Sequence, residues 1–187
     1  QKAQRVVDLA AFLDVAARSA GFRSRILRMG EQPEQLSLER FLGEGLVHDA
    51  VLSLGAALGA LAPLLRPGSI RVLLSDLLTP EDASVLVRDL AARAGGLGVV
   101  QVLGAHDAAP AVGAAVQLID AETGAKLDAV LDRRTVEAYL ARLSRLEAAW
   151  AEATQRRGGV FARTLAWEPL EAVARGPLLR AGLIEPR

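Results

Sequence analysis

The stretch Ser69-Ile70-Arg71-Val72-Leu73-Leu74-Ser75-Asp76, followed closely by Thr79-Pro80-Glu81-Asp82, decides the fold. A short run dominated by Ile, Val and Leu, set off by Pro67-Gly68, is the pattern of a buried strand in a parallel sheet. Thr79 is a favoured N-cap type, Pro80 suits a first helical position, and Asp82 completes a capping-box pattern. The strand is therefore expected to turn straight into a helix that runs to about Ala94 and stops at Gly95-Gly96. A carboxylate at that turn lies on the carboxyl edge of the sheet, where α/β folds dock ligands, metals and partners. Asp76 is thus the first candidate functional residue.

Outward from this stretch the same grammar repeats. Leu97 to Leu103 is a second continuous apolar strand. Val47 to Leu65 is expected to be a helix stopped by Pro67-Gly68. Its apolar run from Ala50 is shorter than the ~20 residues of a bilayer span and contains Gly55, Gly59 and Pro63. Two such strand–helix alternations predict parallel pairing with helices on both faces. Upstream, Val6, Leu9, Leu13 and Ala16/Ala17 make a helical stripe over Lys2 to Ala20. Arg23 to Met29 alternates like a strand near the sheet edge, and Gly30 to Gly45 is expected to be a loop around a short turn at Leu38–Leu42.

After His106-Asp107 the pattern changes. Val116 to Ile119, the turn Asp120-Ala-Glu-Thr-Gly124, and Lys126 to Leu131 predict a β-hairpin, with Gly124 supplying positive φ. Asp132 to Arg157 is a long amphipathic helix with Val136, Leu140, Leu143, Leu146 and Trp150 on one face. Val160 to Leu165 is a last strand, and Pro169 to Leu183 a helical segment interrupted at Gly176-Pro177. The chain holds no repeat, low-complexity tract or linker, so residues 1–187 are expected to form a single α/β domain.

Composition narrows the function classes. Of 187 residues, 51% are hydrophobic and 24% charged, the balance of a globular chain. Lys plus Arg number 22, as do Asp plus Glu, so no long-range field gathers nucleic acid or anionic lipid. Aromatics at 4% leave little from which to build base-stacking platforms. Zero cysteines exclude disulfides, thiolate metal sites and thiol catalysis, in keeping with a reducing cytoplasm. The chain starts at Gln1, inside an expected helix, and is expected to continue upstream.

Catalytic constellations are scarce. His48-Asp49 resembles a base with its orienting carboxylate, but helical neighbours do not face each other; a helix start on the crevice rim is the other reading. His106-Asp107 follows a strand and lies on the functional edge, either touching a partner or as a solvated loop. No serine has a histidine at recognisable spacing. Gly95-Gly96-Leu97-Gly98 precedes a strand, not the helix a phosphate loop needs. The arginines of the long helix are balanced by Glu137, Glu147 and Glu152, as on a solvated face.

Several motifs, taken in order, resemble a bacterial family. They are the strand Val72-Leu-Leu-Ser-Asp76, the hairpin Leu118-Ile-Asp-Ala-Glu-Thr-Gly124, the Tyr139-Leu140 helix and the ending Leu178-Leu-Arg-Ala-Gly-Leu-Ile184. The chain, from Lys2 to Ile184, is similar to the domain-of-unknown-function family numbered fifty-eight, a degenerate von Willebrand factor A-like domain. The resemblance implies a Rossmann-like, mostly parallel sheet carrying a metal-ion-dependent adhesion site at its carboxyl edge. Asp76 matches that site's later aspartate.

The site's Asp-x-Ser-x-Ser loop would fall before Lys2. Its middle threonine would fall near Gly43-Glu44-Gly45-Leu46-Val47, which offers no hydroxyl. The site is therefore incomplete in this sequence, and the first central strand is expected upstream. Asp76 is either a Mg²⁺ ligand, since hard cations take oxygen donors, or a cap of the turn, with Ser75 closing the strand or orienting it. Family members are commonly encoded beside MoxR-type AAA+ ATPases. The resemblance therefore implies a non-enzymatic adaptor with such a partner; by their place at the edge, Asp76, His48, His106 and Asp107 are the candidate contacts. A metal-assisted hydrolase using Asp76, and a structural domain of a membrane-anchored protein, are the alternatives. The expected location is cytoplasmic, or the cytoplasmic side of such an anchor.

Overall fold

Apolar spacing and side-chain caps set the elements in this computed structural model, which describes residues 1–30, 32–46, 52–113, 115–119 and 126–185. Helix α1 (Lys2–Ser19) buries Val6, Val7 and Leu9. Strands β1 (Ile26–Arg28) and β2 (Glu34–Leu36) pair antiparallel as a short ribbon. Hydroxyls start the next two helices: Ser37 accepts from the Arg40 N–H at α2 (Leu38–Glu44), and Ser53 from the Ala56 N–H at α3 (Leu54–Leu61). Each satisfies an N–H that has no partner inside its helix.

A 3-10 turn, Ala62–Leu64, leads out of α3. Then come β3 (Ile70–Ser75), α4 (Ala83–Ala91), β4 (Gly96–Leu103) and a one-turn α5 (Ala105–Ala108). Strands β5 (Ala115–Ile119) and β6 (Lys126–Val130) pair antiparallel. The Asp132 carboxylate caps α6 (Arg133–Arg156), and β7 (Val160–Leu165) follows. The chain continues through α7 (Leu170–Val173), a π-helical turn Ala174–Leu178 and α8 (Leu179–Ala181).

The main sheet is parallel, in the order β3-β4-β7. On one face Leu73, Leu97 and Val99 pack against Leu58 of α3, Leu86, Val87 and Leu90 of α4, and Trp150 and Ala153 of α6. On the other, Val100, Val102 and Ala162 meet Val6 and Leu9 of α1 and Val173 and Leu178 of the C-terminal helical segment. The fold is thus the predicted one: a parallel sheet between helical layers, with a separate hairpin. This is a Rossmann-like α/β arrangement, consistent with the von Willebrand A type. Among the described residues no helix is long and apolar enough to cross a membrane.

The differences from expectation have local causes. β3 is not buried on both sides: Ile70 is 57% exposed and Val72 37%, while Arg71 is buried. β3 is an edge strand of the described sheet, and Arg71 reaches under α4 to donate to the Leu90 and Arg66 carbonyls at 2.6 and 3.3 Å. Helix α4 starts three residues later than Pro80, because Asp82 itself is the cap, accepting from the Ser84 N–H at 2.7 Å. Thr79 turns instead to Glu81.

Helix α3 begins at its Ser53 cap, well after Val47; residues 47–51, His48 included, lie outside the described residues, as does the turn Asp120–Gly124. Residues 23–29 supply only the three-residue β1, which joins β2 in its own ribbon, away from the main sheet. Residues 30–45, expected to be a loop, provide β2 and α2. Gly176-Pro177 does not break the last helical segment. A π turn carries the chain across the proline, which lacks a backbone donor.

Candidate functional site

At the carboxyl edge of the sheet, three segments distant in sequence meet. β3 ends at Ser75, and the chain must then turn sharply. Leu77 takes it through φ 59°, a left-handed conformation that a branched side chain adopts only when its surroundings impose it. Those surroundings are visible. The Leu77 side chain is buried, its N–H donates to the Ser75 hydroxyl at 3.1 Å, and its carbonyl accepts from the Thr79 N–H at 2.9 Å. The turn aims Asp76 outward. Its Oδ1 accepts from the Leu78 N–H at 3.2 Å, and its carbonyl accepts from the Gln101 amide at 3.0 Å. Gln101 is wholly buried on β4, next to Ser75 in register, so the central strand fixes the backbone of Asp76.

Beyond β4, Gly104 opens α5, and its N–H donates to Asp107 Oδ2 at 2.9 Å. From α6 the Tyr139 hydroxyl donates to the Asp107 carbonyl at 2.8 Å. Lys2, the first residue of α1, closes the arrangement. Its ammonium donates to Asp76 Oδ2 at 2.8 Å and to Asp107 Oδ2 at 2.9 Å. Burial pulls the Lys2 pKa down, but the hydrogen bonds and charges of both aspartates outweigh it, so the ammonium titrates above its ordinary value. Tyr139 is raised as well, by burial first and then by the Asp107 charge. Two carboxylates against one ammonium leave the cluster with a net charge of minus one.

Beside Asp76 a cavity of about 230 Å³ is lined by Met29, Leu52, Leu54, Ala57 and the turn from Ser75 to Thr79. A second carboxylate holds its wall. Glu81 accepts from the Gly55 N–H at 2.9 and 3.1 Å, the Ser53 hydroxyl at 3.0 Å and the Thr79 hydroxyl at 3.2 Å. These bonds, the Gly55 N–H foremost, hold the Glu81 pKa below the ordinary carboxylate range. A β-carbon at Gly55 would crowd the Glu81 carboxylate, which would have to shift from its present bonds.

Of the residues singled out in the sequence, Asp76 and Asp107 are brought together by Lys2. His106 is exposed on α5, away from the Lys2 contacts, and His48 lies outside the described residues. Ser75 serves the turn by bonding Leu77, not Asp76. Lys2, Gln101 and Tyr139 carry the geometry without having been marked as site residues. Gln101 had a signal, a polar side chain inside the apolar run Leu97–Leu103. Lys2 had none, since it is 74 and 105 positions from its partners.

The donor set does not suit Mg²⁺ while Lys2 stands in it. Mg²⁺ needs near-octahedral oxygen ligands, whereas one oxygen of each carboxylate is already committed to the ammonium. The Ser75 hydroxyl is engaged by the Leu77 N–H, and the described residues contain no group of three or more His, Cys, Asp or Glu placed to hold a metal.

No protein-family model matches the chain, and no curated protein matches it. A crystal structure of an aerotolerance-related membrane protein from Bacteroides fragilis NCTC 9343, with multiple mutations to serines, is similar in fold. Its TM-score is 0.52 at 16% sequence identity, with 98% of this chain and 93% of that chain covered. At that identity the likeness bears on architecture, and it agrees with the Rossmann-like α/β arrangement described above.

Proposed function

We propose that this chain is a protein-interaction module of the degenerate von Willebrand A-like kind represented by family fifty-eight, binding a protein partner along the edge that carries Asp76. The partner is a MoxR-type AAA+ ATPase, and the pair assembles or remodels other complexes in the cytoplasm or at its membrane face. One observation carries the reading. The cluster of Asp76, Asp107 and Lys2 is partly exposed and has unbalanced charge, and exposed aliphatics lie close to its residues in sequence, Leu78 after Asp76 and Leu140 after Tyr139. Charges of this kind set register and association rate, and apolar neighbours supply burial.

A hydrolase using Asp76 would also need a nucleophile beside it, and the partners of the Asp76 side chain are the Lys2 ammonium and the Leu78 N–H. The description of the structurally similar protein as a membrane protein supports an anchored version of the same module.

The test is binding of the ATPase, in each nucleotide state, to the wild type and to Asp76→Arg and Leu78→Asp. Both variants are expected to weaken binding at least tenfold, the range of an edge charge or apolar contact. Unchanged binding by both moves the interface off this edge. No binding by the wild type removes the ATPase as partner.

A further inference from the structure

We propose that Lys2 is the resident cation of the carboxyl edge, standing between Asp76 and Asp107 where a divalent ion would stand, so that the edge is partly neutralised from within and takes up no Mg²⁺.

The geometry is that of a coordination site with an organic occupant. A single ammonium nitrogen lies 2.8 Å from Asp76 Oδ2 and 2.9 Å from Asp107 Oδ2, two carboxylates supplied by different strand ends. Both aspartates are also held by groups other than the ammonium. The Leu78 N–H and Gln101 hold Asp76, while the Gly104 N–H and Tyr139 hold Asp107. Such preorganisation is what a cation site requires. The cation is tethered to the first turn of α1, whose Val6 and Leu9 are anchored in the core, so it cannot diffuse away. A divalent ion would have to displace a permanent, covalently tethered competitor and also strip its own water shell.

An ammonium also differs in what it offers a partner. It has three N–H donors and no acceptor. Two are used on the aspartates, and the side chain remains about one-third exposed, at 35%. The third can meet a carbonyl or carboxylate from outside, so capture through this edge does not need an added ion. That last step rests on the adaptor reading; the exclusion of Mg²⁺ does not, and it is tested without any partner.

Mn²⁺ uptake followed by water-proton relaxation, with Mg²⁺ calorimetry alongside, is measured on four proteins: wild type, Asp76→Asn, Lys2→Met and Lys2→Met/Asp76→Asn. The wild type is expected to show no saturable uptake. Lys2→Met, with the cation removed and the carboxylates kept, should gain saturable Mn²⁺ uptake that the wild type lacks, and the added Asp76→Asn should abolish the gain. Circular dichroism checks that each variant is folded. Should Lys2→Met fail to fold, the melting temperature of the wild type with and without Mg²⁺ decides, and no shift is expected. Three results overturn the proposal: saturable wild-type uptake that Asp76→Asn removes, a folded Lys2→Met with no gain, or a wild-type melting temperature raised by Mg²⁺.

Discussion

Strands β3 and β4 lie side by side, in register from Ile70↔Gly96 to Ser75↔Gln101, yet they are built to opposite ends. β4 is buried from Leu97 to Leu103, with its one polar side chain, Gln101, spent on the Asp76 backbone. β3 exposes Ile70 and Val72 and buries a charge, Arg71, against the Leu90 carbonyl near the end of α4. Apolar character alone therefore does not place a side chain inside. Position in the sheet does, because a central strand is covered on both faces and by neighbours on both sides, and an edge strand is not.

The largest effect should come from the core that β4 anchors. Trp150 is fully buried among Leu73, Leu97, Val99 and the residues of α4. Trp150→Ala is expected to cost about 3–5 kcal/mol in denaturant unfolding, the range for aromatic truncation in a core. Matched valines sharpen the contrast. Val100→Ala, at a fully buried β4 position, should cost about 2 kcal/mol, and Val72→Ala, on the neighbouring strand, within about 0.5 kcal/mol. Equal costs at the two valines would erase the distinction between the strands.

Gly159 probes the other side of β4. A β-carbon there would lie 2.8 Å from the Leu97 carbonyl oxygen and 2.9 Å from Thr154 Cγ2. Gly159→Ala must push β7 away from β4 or shift α6, at an expected cost of about 1–3 kcal/mol, the range for overpacking. Arg71→Met tests β3's own contribution. It leaves the Leu90 carbonyl without its donor under α4, and about 1–2 kcal/mol should be lost at every pH, since the arginine stays charged throughout. A neutral outcome would mean that the buried guanidinium stabilises no more than the apolar side chain that replaces it.

How much of this was legible follows from where each signal sits in the chain. β4, β7 and α6 were legible because their evidence is contiguous: an apolar run, a cap at Asp132 and a stripe ending in Trp150. The start of α4 was misread by three residues because Thr79 and Asp82 are both good caps. What decided between them was Glu81, drawn away to the N–H of Gly55 by a contact 26 positions off. The edge cluster was half legible. Asp76 and Asp107 stand at strand ends, which sequence can locate. Lys2 reaches them only through the packing of α1 on the sheet, and no spacing rule encodes a contact of that separation.

Glu81 links the start of α3 and the turn after β3 to pH. Its folded-state pKa is depressed, so its carboxylate contributes stability that is fully present above the unfolded pKa. That contribution is lost as pH falls through the lower, folded value. Glu81→Gln should therefore cost about 1 kcal/mol at neutral pH, as for loss of a helix N-cap. The difference from wild type should shrink on acidification below the ordinary carboxylate range. A difference that grows as pH falls would reverse the sign and place Glu81 in another role.

A small stability effect is expected at the edge cluster, and its salt dependence marks it off from the core. The ion pairs of Lys2 are about one-third exposed, so water screens them, and such pairs are typically worth about 0.2–1 kcal/mol. Asp107→Asn keeps the size of the side chain and an acceptor for the Gly104 N–H, but removes one charge from Lys2. Its cost should fall within that range at low salt and fade as ionic strength brings the Debye length to about 8 Å and below. The cost of Val100→Ala should not fade, because burial of a methyl group involves no charge to screen. A salt-insensitive Asp107→Asn would mean that the cluster acts through packed hydrogen bonds, not Coulomb attraction, and would set it with β4 instead of with the open edge.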